Sequence, residues 1–186
     1  AISAKLPDLL HMIVREIWVM NRLKTALSVL ALGCVALPAL AEPVSTSLYK
    51  YKHWEVEAVQ YDDGSISCLA EVDAGTDSFT IWINQDQSLR LQFYSTSWDF
   101  GEGDTADLRV KIDRRSPWTL TEAELYKNSI LFDLPDSDAS VNFLVEVAQG
   151  PRAYLQTATG AAVINYSLQG SNAPMNALTA CGDAIR

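Results

Sequence analysis

The chain has 186 residues, 14 Lys and Arg against 23 Asp and Glu, and a formal net charge of −9. Its length suits one domain, or two small ones, and 48% apolar with 20% charged residues is a globular composition that excludes a disordered tail or a collagen-like fibre. The acidic balance speaks against nucleic acid or an anionic membrane surface as partner, and three Cys with two His exclude a multi-zinc protein.

Residues 20–41 read as a secretory signal peptide. Arg22 and Lys24 form a short basic start, residues 25–41 carry no charge, and 27–37 are strongly apolar. Pro38 breaks the run, and Ala39-Leu40-Ala41 supplies small residues for cleavage after Ala41. The competing readings are a membrane anchor, for which Gly33 and Pro38 leave the run short, and lipid attachment at Cys34. Residues 1–19 precede a complete signal and are expected to be a non-native upstream extension, with Met20 as initiator and Met12 as the alternative. His11 and Trp18 then play no part in function. The remaining segment, 42–186, loses four basic and two acidic residues and carries a net charge of −11. It is expected to form a single β-rich domain with no transmembrane segment. Order should begin near Tyr49, because 43–47 is polar and turn-like.

Trp54, Val56 and Ala58 alternate with Glu55 and Glu57. After the Asp62-Asp63-Gly64 turn, Ile66, Cys68, Ala70 and Val72 share a face, so 51–74 reads as a hairpin. Phe79, Ile81 and Ile83 form one face of the next strand, which leaves Trp82 on the opposite face. Leu89, Leu91 and Phe93 follow at period two, as do Leu108, Val110 and Ile112. A second hairpin is expected over 117–134, in preference to a helix opened by Thr121 and Glu124.

The period then changes. Val141, Leu144, Val145 and Ala148 mark one face of a helix over 136–149, capped by Asp136 or Ser137 and stopped by Gly150-Pro151. Residues 154–157 and 163–168 form another hairpin, and a short helix with Pro174 in its first turn closes the chain. The order predicts an α+β, mainly β fold: an antiparallel β-sandwich or partly open barrel with two short helices.

Of the cysteines, Cys68 and Cys181 remain after export, both on inward-facing phases. An even count in an oxidising compartment predicts a Cys68–Cys181 disulfide, with two buried free thiols as the alternative.

Chemistry is sparse. His53, the one histidine of 42–186, has no nucleophile-elbow motif to serve and reads as an exposed strand residue. Asp99, Glu102, Asp104 and Asp107 gather in nine residues with two glycines, the best place for a cation, but the spacing fails the EF-hand pattern and a solvated hairpin loop explains it too. No cofactor is expected. Trp82, Trp98 and Phe100 are candidate exposed aromatics for binding another envelope protein or a glycan, against packing beneath the acidic loop.

Trp54, Cys68, the Leu108-x-Val110-x-Ile112-Asp113 strand with Trp118, and the closing Tyr166-Ser167-Leu168-x-Gly170-Ser171 with Ala177-Leu178-x-x-Cys181 together resemble small exported proteins of the invasion-associated locus B type from alphaproteobacteria. The resemblance implies a β-sandwich-like periplasmic or surface protein without known catalysis, some members acting in host-cell entry. The expectation is therefore an exported, non-enzymatic binding or structural protein, periplasmic or secreted. The alternative is a small periplasmic hydrolase or metal-dependent enzyme using the acidic loop.

Overall fold

The computed structural model describes residues 42–134 and 138–186. The signal segment, the upstream extension, Cys34 and the capping positions Asp136 and Ser137 lie outside the described residues. Eight strands come first: β1 (Val44–Tyr51), β2 (Trp54–Gln60), β3 (Ile66–Asp73), β4 (Asp77–Asn84), β5 (Leu89–Ser95), β6 (Phe100–Ile112), β7 (Trp118–Lys127) and β8 (Ser129–Leu134). Helix α1 (Asp138–Gln149), strands β9 (Arg152–Thr157) and β10 (Ala162–Ser167), and helix α2 (Asn172–Ala184) complete the chain.

All ten strands join one antiparallel sheet in the order β1-β2-β3-β4-β5-β8-β7-β6-β9-β10. The sheet is therefore a mainly-β, α+β half-barrel, the second of the two expected architectures. Its curl is measured by Tyr166 on the edge strand β10. That ring lies 5.8 Å from Phe79 on β4 and 6.1 Å from Phe93 on β5, six and five places away in the sheet order. Trp54, Val72, Phe79 and Phe93 stand directly opposite one another across β2–β5 and form an inward row, each buried. Burying each large side chain contributes about 1.5–3 kcal/mol.

Helix α2 packs on β1–β4 and is bonded to the sheet by the Cys68–Cys181 disulfide, whose Cα atoms are 6.0 Å apart. Gly182 permits that approach, because a Cβ there would meet Ile83 Cγ2 at 2.9 Å. Helix α1 is held from both ends of its last turns. Trp118 Nε1 donates to Glu146 Oε2 at 2.9 Å, and the Trp118 indole meets Phe143 edge-on at 5.6 Å. Ser171 Oγ donates to the Val147 carbonyl and ties the start of α2 to the end of α1.

Three expectations are corrected. The fold begins at Val44, not near Tyr49, because β1 is an edge strand exposed along its length except at half-buried Tyr49, and polar residues suffice for it. The acidic stretch is not a free loop: β6 runs from Phe100 and pairs with β7 through register shifts at Phe100/Glu102, Glu102/Asp104 and Ala106/Leu108, with Gly103 at φ 88° in one of them. The buried face of α1 is Ser140, Phe143 and Val147, while Val141 is 60% exposed and Val145 is also exposed. Two apolar stripes overlap on that helix, and the one carrying the large Phe143 ring faces the core. Among the described residues no helix is long and apolar enough to cross a membrane.

Candidate functional site

The strands that bury Phe79, Ile81, Leu91 and Phe93 inward must turn the alternate residues outward. Thr80, Trp82 and Asn84 on β4 face the same side as Arg90, Gln92 and Tyr94 on β5, where Trp82 stands opposite Arg90 and Thr80 opposite Gln92. Because β5 pairs with β8, Leu131 lies opposite Gln92 and Ser129 opposite Tyr94. Tyr126 on β7 stands opposite Ser129. The two-residue Lys127-Asn128 turn, with Lys127 at φ 52°, closes the far end. These side chains, Thr80 apart, line an open cleft of about 500 Å³ on the outer face of the sheet, together with Tyr61.

The cleft is built in advance. Trp82 Nε1 donates to Gln92 Oε1 at 3.1 Å, and Gln92 Nε2 donates to Ser129 Oγ at 3.1 Å. One amide therefore fixes the indole across three strands. Arg90 binds Asp133 in two places, Nε to Oδ1 at 2.7 Å and Nη2 to Oδ2 at 2.8 Å, and retains further N–H groups for a ligand. That guanidinium holds the Asp133 carboxyl below its ordinary value, and the carboxylate in turn raises Arg90. Lys127 Nζ lies 4.8 Å over the Tyr126 ring, and its bond with the Tyr126 hydroxyl, more than the added charge, raises its ammonium.

Past Gln92 and Tyr94 the cleft continues into a recess of about 300 Å³ bounded by Glu71, Asp73 and Asp77. Glu71 Oε2 accepts from Thr80 Oγ1 at 2.8 Å and from Ser78 Oγ at 3.2 Å. The site thus has half-buried aromatic rings, fixed amides, cationic groups at Arg90 and Lys127, and an anionic recess. Such a surface stacks on a flat apolar face and hydrogen-bonds groups around its edge.

Of the three aromatics singled out from sequence, the structure brings Trp82 into the cleft and places Trp98 and Phe100 elsewhere. Their rings lie 5.6 Å apart, half-buried against the core at the start of β6. Asn128, a cleft residue, donates its side-chain amide to the Trp98 carbonyl, so this pair buttresses the turn. Asp99 immediately precedes β6, and Glu102, Asp104 and Asp107 are strung along its first half. Asp107 Oδ1 accepts the Glu122 N–H at 3.0 Å, where Glu122 adopts φ 56° in the β6–β7 irregularity. Among the described residues no three His, Cys, Asp or Glu side chains stand in a metal-holding group. Arg90, Gln92, Tyr94 and Tyr126 are the cleft residues that sequence reasoning missed. Their signal was the outward phase of strands identified by their inward phase.

The fold and site define a class: a disulfide-bonded antiparallel half-barrel with an aromatic, amide-lined cleft on its outer face. No protein-family model, curated protein or solved structure matches the chain.

Proposed function

We propose that this chain is an exported, non-enzymatic binding protein of the bacterial periplasm or envelope, and that its outer-face cleft takes a segment of a glycan. The carrying observation is the Trp82–Gln92–Ser129 chain, which holds an indole in one orientation beside Tyr94 and Arg90. A pyranose ring has an apolar C–H face that packs on an indole and equatorial hydroxyls that bond amides, guanidinium and serine. Rigid Trp and Tyr offer that contact with little conformational entropy to lose.

The signal at residues 20–41 supports export, and a disulfide persists in an oxidising compartment. The resemblance to invasion-associated locus B proteins points the same way. The hydrolase reading draws no support from the acidic stretch, since its carboxylates are spread from Asp99 along the first half of β6 and Asp107 is committed to the Glu122 N–H.

The test is an oligosaccharide array followed by calorimetric titration of the best binder. Trp82→Ala should weaken binding at least tenfold, about 1.4 kcal/mol, with the melting temperature little changed. Trp82→Phe, which keeps a ring but loses the bond to Gln92, should fall between. If no saccharide binds, or if Trp82→Ala binds as the parent does, the glycan reading is wrong.

A further inference from the structure

The outer-face cleft does not end at Tyr94. Its lining shares Gln92 and Tyr94 with the acidic recess. The recess in turn shares Glu71 and Asp73 with a third hollow of about 270 Å³ beside the β1–β2 turn, lined also by Lys50, Lys52 and Glu55. Strand register explains the alignment. Leu131 on β8, Gln92 on β5, Thr80 on β4, Glu71 on β3, Glu55 on β2 and Lys50 on β1 each stand opposite the next. A second row runs beside it, two residues along each strand, through Ser129, Tyr94, Ser78 and Asp73. It reaches the β1–β2 turn where the Asp73 N–H donates to the His53 carbonyl at 3.0 Å. Both rows face outward, because Cys68, Phe79 and Phe93 take the buried phase of the same strands. The three hollows are therefore one groove that crosses the strands from β8 to β1.

Neighbouring strands lie about 4.8 Å apart, so five spacings cover roughly 24 Å of outer face. An extended β-1,4-linked pyranose chain advances by about one strand spacing per sugar, which seats about five sugars along the groove. The charges along it alternate. Arg90 and Lys127 line the cleft, Lys50 and Lys52 line the far hollow, and Glu71, Asp73 and Asp77 line the recess between them. Among the described residues no basic side chain lines that recess. Its carboxylates are fixed: Asp73 Oδ1 accepts the Gly75 N–H at 2.6 Å, and Glu71 accepts from Ser78 and Thr80. A ligand carboxylate laid over them meets like charge, whereas sugar hydroxyls meet acceptors.

We infer that the glycan proposed for the cleft, a reading on which this step rests, is a linear β-1,4-linked chain of about five sugars without carboxylates, laid across the strands from β8 to β1. Trp82 and Tyr94 stand beneath its first sugars, Glu71 and Asp73 accept hydroxyls from its middle, and the Lys50–Glu55 pair, 2.8 Å apart, meets its last.

Cello-oligosaccharides and N-acetylchito-oligosaccharides of two to six sugars are titrated calorimetrically into the full chain, and the bound dimer and hexamer are mapped by two-dimensional NMR. In at least one series affinity should rise about tenfold or more from dimer to pentamer and then level off. Hexamer shifts should run from Ser129 and Gln92 through Ser78 and Asp73 to Lys52, and dimer shifts should stay at the cleft. Lys50→Ala/Glu55→Ala should weaken the hexamer about threefold or more and leave the dimer unchanged, whereas Trp82→Ala should weaken every length. If the double variant fails to fold, the NMR map decides. A β-1,4-linked glucuronic acid pentamer should bind about tenfold or more below the neutral pentamer, and added salt should narrow that gap. A dimer as tight as the pentamer, hexamer shifts confined to the cleft, or a glucuronic acid pentamer that matches the neutral one overturns the inference and leaves the glycan reading standing. So does binding of other saccharides on the array with none from these two series. Binding of no saccharide at all removes the glycan reading itself, and this inference with it.

Discussion

Removing the Cys68–Cys181 bridge tests how the half-barrel is held shut at one end. The two residues are 113 apart in sequence. In the chain-entropy treatment, a loop of that length costs the unfolded chain about 4.8 kcal/mol of freedom at 25 °C, and measured losses for native bridges run at roughly 2–5 kcal/mol. For a domain of about 150 residues each kcal/mol moves the melting point by about 2–4 °C, so a loss near 10 °C is expected. Substitution alone confuses two effects, because Cys68 is fully buried and Cys181 nearly so, and a replacement disturbs packing as well as the cross-link. Calorimetry of the wild type with and without dithiothreitol isolates the cross-link. The Cys68→Ala/Cys181→Ser variant should melt at or below the reduced wild type and should not respond to reductant. A wild type whose melting point moves by less than about 1 °C on full reduction, or whose two thiols titrate in the folded state without reductant, refutes the reasoning.

Two further outcomes follow from the geometry. Phe143→Ala should destabilise by about 3–5 kcal/mol and Val141→Ser by less than about 0.5 kcal/mol in urea unfolding, and equal losses would mean that the helix presents its other stripe to the core. Asp133→Asn should cost under about 1 kcal/mol at pH 7, because the Arg90–Asp133 pair is about half-exposed. The Asp133 carboxyl lies below its ordinary value through its bond with Arg90, so its contribution is present above the unfolded value near pH 3.9 and is lost as pH falls through the folded value. A difference between parent and variant that persists unchanged at pH 2 would refute that assignment.

Period-two alternation located the strands where one face is buried: Ile66 to Val72, Phe79 to Ile83, Leu89 to Phe93 and Leu108 to Ile112 all stand as read. It failed on β1 and on the start of β6, where no residue is fully buried and exposed edges or bulged pairings need no apolar pattern. On α1 the pattern was present twice, and only the position of Trp118 decides which stripe faces in. The disulfide was legible because only one pairing is possible within 42–186. The cleft was half legible. Trp82 could be assigned to the outward face from its phase, but its neighbours depend on β8 sitting beside β5. Strand order is a tertiary outcome, and no local residue spacing encodes it.

Strand alternation also explains why the staple and the cleft belong together. On β3, Cys68 faces inward to α2. Its neighbour Ser67 donates to Asn84 Oδ1 at 2.9 Å on the outer face. A slip of one residue between β3 and β4 would turn Cys68 outward and carry Glu71 away from Thr80. The bridge can form in only one of the two phases, so the bond that fixes α2 to the inner face also fixes which residues the outer face presents. The edges carry a complementary constraint. β1 leaves Val44 and Leu48 exposed on an open edge, yet Pro43 precedes it, a bulge interrupts it between Ser47 and Tyr49, and Lys50 charges its end. Each of these hinders another strand from adding to that edge. The faces divide the remaining groups: the packed Trp54–Phe93 row fills the interior, and the outer side of β4, β5, β7 and β8 is where aromatic and hydrogen-bonding groups stand fixed and accessible.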